Sequence, residues 1–167
     1  MMSLKRILVA TDFSPASEAA LRYGRALARQ LGATLEVLHI WDDATTGFAG
    51  LESYTVELAS LRTQAEAAAR DKLATLLSEQ DRASIGATTR LLASHHPATT
   101  IVEHAARENV DLIVVGSHGR QGVERWLLGS VAERIVRMAR CPVLTVKHPE
   151  HDFVTPDALE AVKSASM

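Results

Sequence analysis

The sequence is short of cysteine, of net charge and of long apolar runs, and each shortage removes a class of protein. Its one cysteine, Cys141, cannot close a disulfide within the chain, which fits a reducing compartment. A formal charge of −2 over 167 residues gives no electrostatic reason to expect nucleic acid, whose binding rests on many phosphate contacts. No apolar run approaches the roughly 20 residues of a membrane span. The opening MMSLKRILVATD enters a strand pattern at once, without the apolar segment and cleavage site of a secretory signal. No internal repeat or low-complexity tract stands out. The expectation is a single soluble cytoplasmic domain with no nucleic-acid or membrane partner. At 47% apolar residues the chain has enough material for one sizeable core.

What is present is an alternation of strand and helix patterns. Ile7 to Ala10 is an apolar run ended by Thr11-Asp12, the signature of a buried parallel strand. Ser14-Pro15 supplies an N-cap and a first-turn proline, and Gly32 a stop. Ala16, Ala19, Ala20, Tyr23, Leu27 and Leu31 share one face of the intervening helix. Thr34 to Ile40 reads as the second strand, and Trp41 to Ser53 as a mobile surface loop. Leu58, Leu61, Ala65, Ala69, Leu73 and Leu76 predict one long helix over Tyr54 to Gln80. Ala83 to Ala93 reads as an edge-like third strand. Pro97 opens a third helix with Ile101, Val102, Ala105 and Ala106 inward, ended at Asn109. Leu112 to Val115 forms a fourth strand. Ser130 to Ala139 forms a fourth helix, with Ala132, Ile135, Val136 and Ala139 inward, and Pro142 to Lys147 a fifth strand. Ser130 and Glu133 have capping-box spacing, which sets the helix start at the serine. Residues 149–167 follow as a polar tail with a possible short terminal helix capped near Thr155.

The order βαβαβαβαβ defines an α/β, Rossmann-like domain: an open five-stranded parallel sheet with helices on both faces. Ligands of such sheets sit beyond the carboxyl ends of the strands. Two strands carry unusual residues at that end, the first with Thr11-Asp12 and the fourth with Gly116 to Gly119. The stretch Asp111 to Val131 is built for an anion. A strand breaks at Gly116, a polar turn Ser117-His118 leads to Gly119, and after nine intervening residues Gly129-Ser130 opens a helix. Glycines admit close backbone approach, and N–H groups at a helix start favour negative charge. The same residues have plainer readings. Asp12 can cap its own turn, and Gly116 and Gly119 can be turn residues.

The spacing Gly116-x-x-Gly119, nine residues, then Gly129-Ser130 resembles the ATP-binding branch of the universal stress protein family. The likeness runs from about Leu4 to Lys147 and includes ILVATDFS, VVGSHGR, LLGSVAERI and CPVLTV. It implies the sheet order 3-2-1-4-5, with the first and fourth strands adjacent. It also implies ATP, with a divalent ion such as Mg²⁺, as ligand. Asp12, preceded by Ala10 and Thr11, would meet the ribose, and the backbone of Ile40 the adenine. Val115 and Gly116 would border the nucleoside, while Ser117, His118, Gly119, Gly129, Ser130 and Val131 enclose the phosphates. It implies a homodimer through the last strand, Val143 to Val146. The sequence departs from many relatives at Ser94-His95-His96, where they have a glycine-led turn, and at Ala10, where some have proline.

Other residues read as background. Arg120 and Arg125 are expected as solvated charge, and His95-His96 as a solvated loop without metal-ligand spacing. Cys141 is expected as a small core residue, and Trp126 as an anchor for the excursion between Gly119 and Gly129. Trp41 and Phe48 either cover the nucleotide or pack on a neighbour. His118 is the general acid or base nearest the phosphates. No Gly-x-x-x-x-Gly-Lys-Ser/Thr motif and no water-activating carboxylate accompany it. The expectation is therefore a nucleotide-binding regulatory module, with a slow ATPase or phosphotransferase as the alternative.

Overall fold

The computed structural model describes residues 4–41, 55–117 and 128–148, with backbone alone for 55–59. The strands are β1 (Arg6–Thr11), β2 (Thr34–Trp41), β3 (Thr88–Ala93), β4 (Leu112–Gly116) and β5 (Val143–Val146). The helices are α1 (Pro15–Leu31), α2 (Thr55–Thr75), α3 (Glu79–Ile85), α4 (Pro97–Arg107) and α5 (Ser130–Met138). All five strands join one sheet in the order β3-β2-β1-β4-β5, and every neighbouring pair is parallel. β1 and β4 are adjacent, with Ala10 opposite Val115.

Period-two side-chain alternation divides the core into two layers. Ile7, Val9, Leu35, Val37 and Val114 meet α1, Leu73 of α2 and Ile85 of α3 on one face. Leu8, Leu38, Ile113 and Val115 meet Ala98, Ile101 and Ala105 of α4 and Ala132 and Ile135 of α5 on the other. Helix α1 is seated by its caps: Ser14 Oγ accepts the Ser17 N–H, Pro15 opens the first turn, and Gly32 takes φ 62 at the end. It lies unusually close to the sheet because Gly24 faces Val9 and Gly116 faces the backbone of Ala16.

Several boundaries differ from the expectation. The helix expected over 54–80 is two helices, broken because Ser78 and Asp81 make a reciprocal capping box that starts α3. Residues 83–85 end that helix, and Gly86 caps it at φ 56, so the third strand begins only at Thr88. Glycine 129, and not Ser130, is the N-cap of α5; Ser130 is the first helical residue. Leu31 (48%), Leu61 (59%) and Val136 (47%) are exposed where an inward position was expected, as is Ala106. Trp41 belongs to β2, whereas the rest of the expected 41–53 loop and the 149–167 tail lie outside the described residues.

Candidate functional site

At the carboxyl end of β1 the chain turns sharply into α1, and a small polar network fixes the turn. Thr11 Oγ1 lies 3.0 Å from Ser17 Oγ and accepts the Phe13 N–H at 3.0 Å. One carboxylate oxygen of half-buried Asp12 accepts the Ser14 N–H at 3.0 Å. The local-turn reading of Asp12 is thus an observed contact, and it orients the carboxylate. Phe13 adopts φ 63, a left-handed conformation that a bulky residue takes only where its surroundings impose it.

The neighbouring end of β4 joins two further elements. Ser117 is buried at 2% exposure. Its N–H donates to the carbonyl of Val146 at 2.7 Å, and its carbonyl accepts the Gly129 N–H at 2.6 Å. This brings the start of α5 to the carboxyl end of β4, beside the turn that carries Asp12. Gly129 has φ −58 and ψ 145, a conformation open to any residue, so backbone geometry does not demand glycine there. Ser130 and Val131 follow, both exposed. Their N–H groups belong to the first turn of α5, where no carbonyl of the helix itself can accept them. Such amides, at the positive end of a helix dipole, suit an anion.

Gly116 has a different explanation. A Cβ added there would stand 2.7 Å from Ala16 C, 2.8 Å from Ala16 O and 2.9 Å from Ser17 N. Its missing side chain is accounted for by the approach of α1. Val115 is buried beside Ala10, while Ile40 lies half-buried near the end of β2. Thus Ala10, Thr11, Asp12, Ile40, Val115, Gly116, Ser117, Gly129, Ser130 and Val131 all lie at one edge of the sheet. His118 and Gly119 lie outside the described residues, as do Phe48, Arg120, Arg125 and Trp126.

The remaining candidates behave as background. His95 and His96 are exposed, and the described residues contain no group of three or more His, Cys, Asp or Glu side chains able to hold a metal. Cys141 packs against the α4–α5 layer, and burial pushes its thiol above the ordinary range, which keeps it a poor nucleophile. A cleft of about 250 Å³ lined by Arg6, Thr34, Glu36 and Glu108 opens at the opposite edge of the sheet, by the first residues of β1 and β2.

Sequence reasoning missed three polar groups. His39, at an inward position of TLEVLHIW, contacts the Asp12 turn through Thr11. Glu36 on the same strand lies 2.9 Å from Nε2 of buried His104 and 3.4 Å from Nε of Arg90. Asp111, the first residue of the glycine-rich stretch, accepts the N–H groups of Lys5 and Arg6 at 2.7 and 2.9 Å. Those backbone bonds hold its carboxyl below the ordinary value. A polar residue at a core parity within an apolar strand was the available signal for His39.

An open parallel sheet with its first and fourth strands adjacent, and a polar turn and helix start meeting at their carboxyl ends, is a doubly wound α/β domain. The model of the Universal stress protein family matches residues 3–147, and the chain belongs to that family. Universal stress protein MJ0531 of Methanocaldococcus jannaschii is 36% identical over 149 residues, spanning 89% of this chain and 85% of the relative. The solved structure of MJ0577 from the same organism superposes with a TM-score of 0.72 at 27% identity, over 90% of this chain and 100% of the other. A universal stress protein from Archaeoglobus fulgidus solved in complex with dAMP shares the fold at TM-score 0.58 and 23% identity, over 88% and 100% of the two chains. So does one solved with cAMP, at TM-score 0.53 and 21% identity, over 87% and 98%. No helix among the described residues is long and apolar enough to cross a membrane.

Proposed function

We propose that the protein is an adenine-nucleotide-binding regulatory module that takes ATP at the carboxyl ends of β1, β2 and β4. One observation carries the reading: Ser117 ties the N-cap of α5 to the end of β4, beside the strand whose exit carries the oriented carboxylate of Asp12. A carboxylate at one side and helix-start amides at the other match the two ends of a nucleotide, ribose hydroxyls and phosphates. In this reading Asp12 meets the ribose, with Ala10 and Thr11 setting its position, and the Ile40 backbone meets the adenine. Val115 and Gly116 border the nucleoside. Ser117, His118, Gly119, Gly129, Ser130 and Val131 surround the phosphates. Relatives of the same fold solved with dAMP and cAMP support an adenine ligand. Mg²⁺ would accompany ATP mainly through phosphate oxygens and water.

The same proposal assigns residues 1–148 to the nucleotide-binding domain and 149–167 to an appended tail. It gives the module a cytoplasmic role in a stress response, as a homodimer paired through Val143 to Val146, where β5 is the outermost strand. Binding rather than turnover is its activity.

Calorimetric titration with ATP, ADP and AMP, with and without Mg²⁺, tests this, with phosphate release followed in the same samples. ATP is expected to bind saturably with release no faster than the blank. Gly129→Val is expected to weaken ATP by more than about tenfold, because a branched Cβ meets the anion where the backbone tolerates valine. Silence of stripped wild-type protein, or unaltered binding by Gly129→Val, overturns the assignment. Turnover that His118→Ala abolishes in a folded protein would establish the slow ATPase instead.

A further inference from the structure

We propose that His39 is a positioning residue for the Asp12 turn, setting the ribose-binding geometry of the site through the carbonyl of Thr11; this rests on the nucleotide reading above. Thr11 is the last residue of β1 and pairs in register with His39, whereas the pairing with β4 ends one residue earlier, at Ala10. Nδ1 of His39 lies 2.7 Å from the Thr11 carbonyl oxygen. A carbonyl only accepts, so Nδ1 carries the proton and donates, which fixes the ring's tautomer. The Thr11 carbonyl belongs to the peptide plane that leads into Asp12. Holding that oxygen fixes the rotation of the plane and hence the direction in which the Asp12 side chain leaves the backbone.

The ring is itself held on its other side. His39 is 8% exposed, and its ring centroid lies 4.4 Å from that of Phe13 at an interplanar angle of 50°. The ammonium of Lys72 stands 4.6 Å from the Phe13 ring centroid, an attractive cation–aromatic contact. Phe13 is the residue at φ 63, immediately after Asp12. The stack of Lys72, Phe13 and His39 therefore clamps both peptides flanking Asp12, one through a hydrogen bond and one through packing. A buried imidazole N–H needs an acceptor, and the one that the strand register offers His39 is the carbonyl that leads into Asp12. Hydrogen bonds from a carboxylate to ribose hydroxyls are directional, so a rotated Asp12 loses them while its charge remains.

The experiment compares wild type, His39→Leu, His39→Asn and Asp12→Ala, alone and as the His39→Leu/Asp12→Ala pair, by calorimetry with ATP and with 2′,3′-dideoxy-ATP. Loss of a charge-assisted hydrogen bond predicts that His39→Leu weakens ATP by about tenfold. Dideoxy-ATP, which lacks the diol, is expected to bind wild type and His39→Leu within about twofold of each other. His39→Asn, whose amide N–H falls near the Nδ1 position, is expected to keep ATP affinity within about twofold of wild type. The double variant is expected to bind ATP no more weakly than Asp12→Ala, since both substitutions remove one interaction. If His39→Leu does not fold, His39→Asn and His39→Gln form the comparison, because only the former keeps the donor at the Nδ1 position and only it is expected to retain affinity. Equal weakening of ATP and dideoxy-ATP, additive losses in the double variant, or unchanged ATP binding by His39→Leu (or by His39→Gln) overturns the positioning role. Absence of ATP binding by the wild type overturns the nucleotide reading instead, and the inference with it.

Discussion

Gly116→Val is expected to abolish the folded state, and Gly116→Ala to lower the unfolding free energy by about 3 kcal/mol. The new Cβ would stand 2.7–2.9 Å from the Ala16 and Ser17 backbone, closer than unbonded atoms tolerate. Nothing flexible lies in its path, so relief requires moving the first turn of α1 away from β4. That turn is fixed by the Ser14 cap and by the buried Thr11–Ser17 contact, and displacing it opens the layer that α1 covers. Urea unfolding of the alanine variant measures the loss; an unfolding midpoint equal to wild type would refute the close-approach explanation. The contrast with Gly129 is informative. Both glycines belong to one spacing pattern, but substitution at 116 is expected to cost stability and substitution at 129 to cost ligand affinity.

Asp81→Ala is expected to destabilise the domain by about 3 kcal/mol, the lower end of the range for breaking a buried ion pair. Asp81 is 3% exposed. Its carboxylate lies 3.2 Å from Arg25 Nε and 3.0 Å from Arg29 Nη2. The first contact is an ion pair without hydrogen-bond alignment, since Arg25 Nε has no hydrogen-bond partner; the same guanidinium donates to the Leu76 carbonyl. Asp81 also accepts the N–H and hydroxyl of Ser78. One side chain thus caps α3 and joins it to α1. The lower figure applies because Arg25 and Arg29 remain partly in contact with water.

The pH dependence of this residue has a definite sign. Burial raises the Asp81 carboxyl, but the Ser78 bonds and the two guanidinium charges outweigh it, and the net position is below 3.8. The unfolded chain therefore binds a proton at higher pH than the folded one. The contribution of Asp81 is fully present above its unfolded value and is lost as pH falls through the folded one. Urea midpoints at pH 5 and pH 3 should fall further for wild type than for Asp81→Ala. Equal falls would remove Asp81 from the acid response.

The sheet was legible because its strands are short apolar runs and its first helix carries explicit stop and start residues: Ser14, Pro15 and Gly32. The adjacency of β1 and β4 came from family likeness, since periodicity carries no information on strand order. The α2–α3 break was hidden inside an alanine- and leucine-rich run, although Ser78 and Asp81 have the spacing of a capping box. At α5 the serine at 130 imitates a cap one position late, because Gly129 is extended and its N–H is already bonded to Ser117. The candidate site was legible as a set of residue types at strand ends. His39 was not, because its role depends on register across two strands.

The two backbone bonds of Ser117 have a mechanical consequence. Its N–H is bound to the last residue of β5 and its carbonyl to the residue that starts α5. The sheet's outer margin and the helix start are therefore joined through the backbone of one buried residue, and displacing either loads the other. A force applied along β5 from outside would be delivered to the amides of Ser130 and Val131 without passing through any side chain.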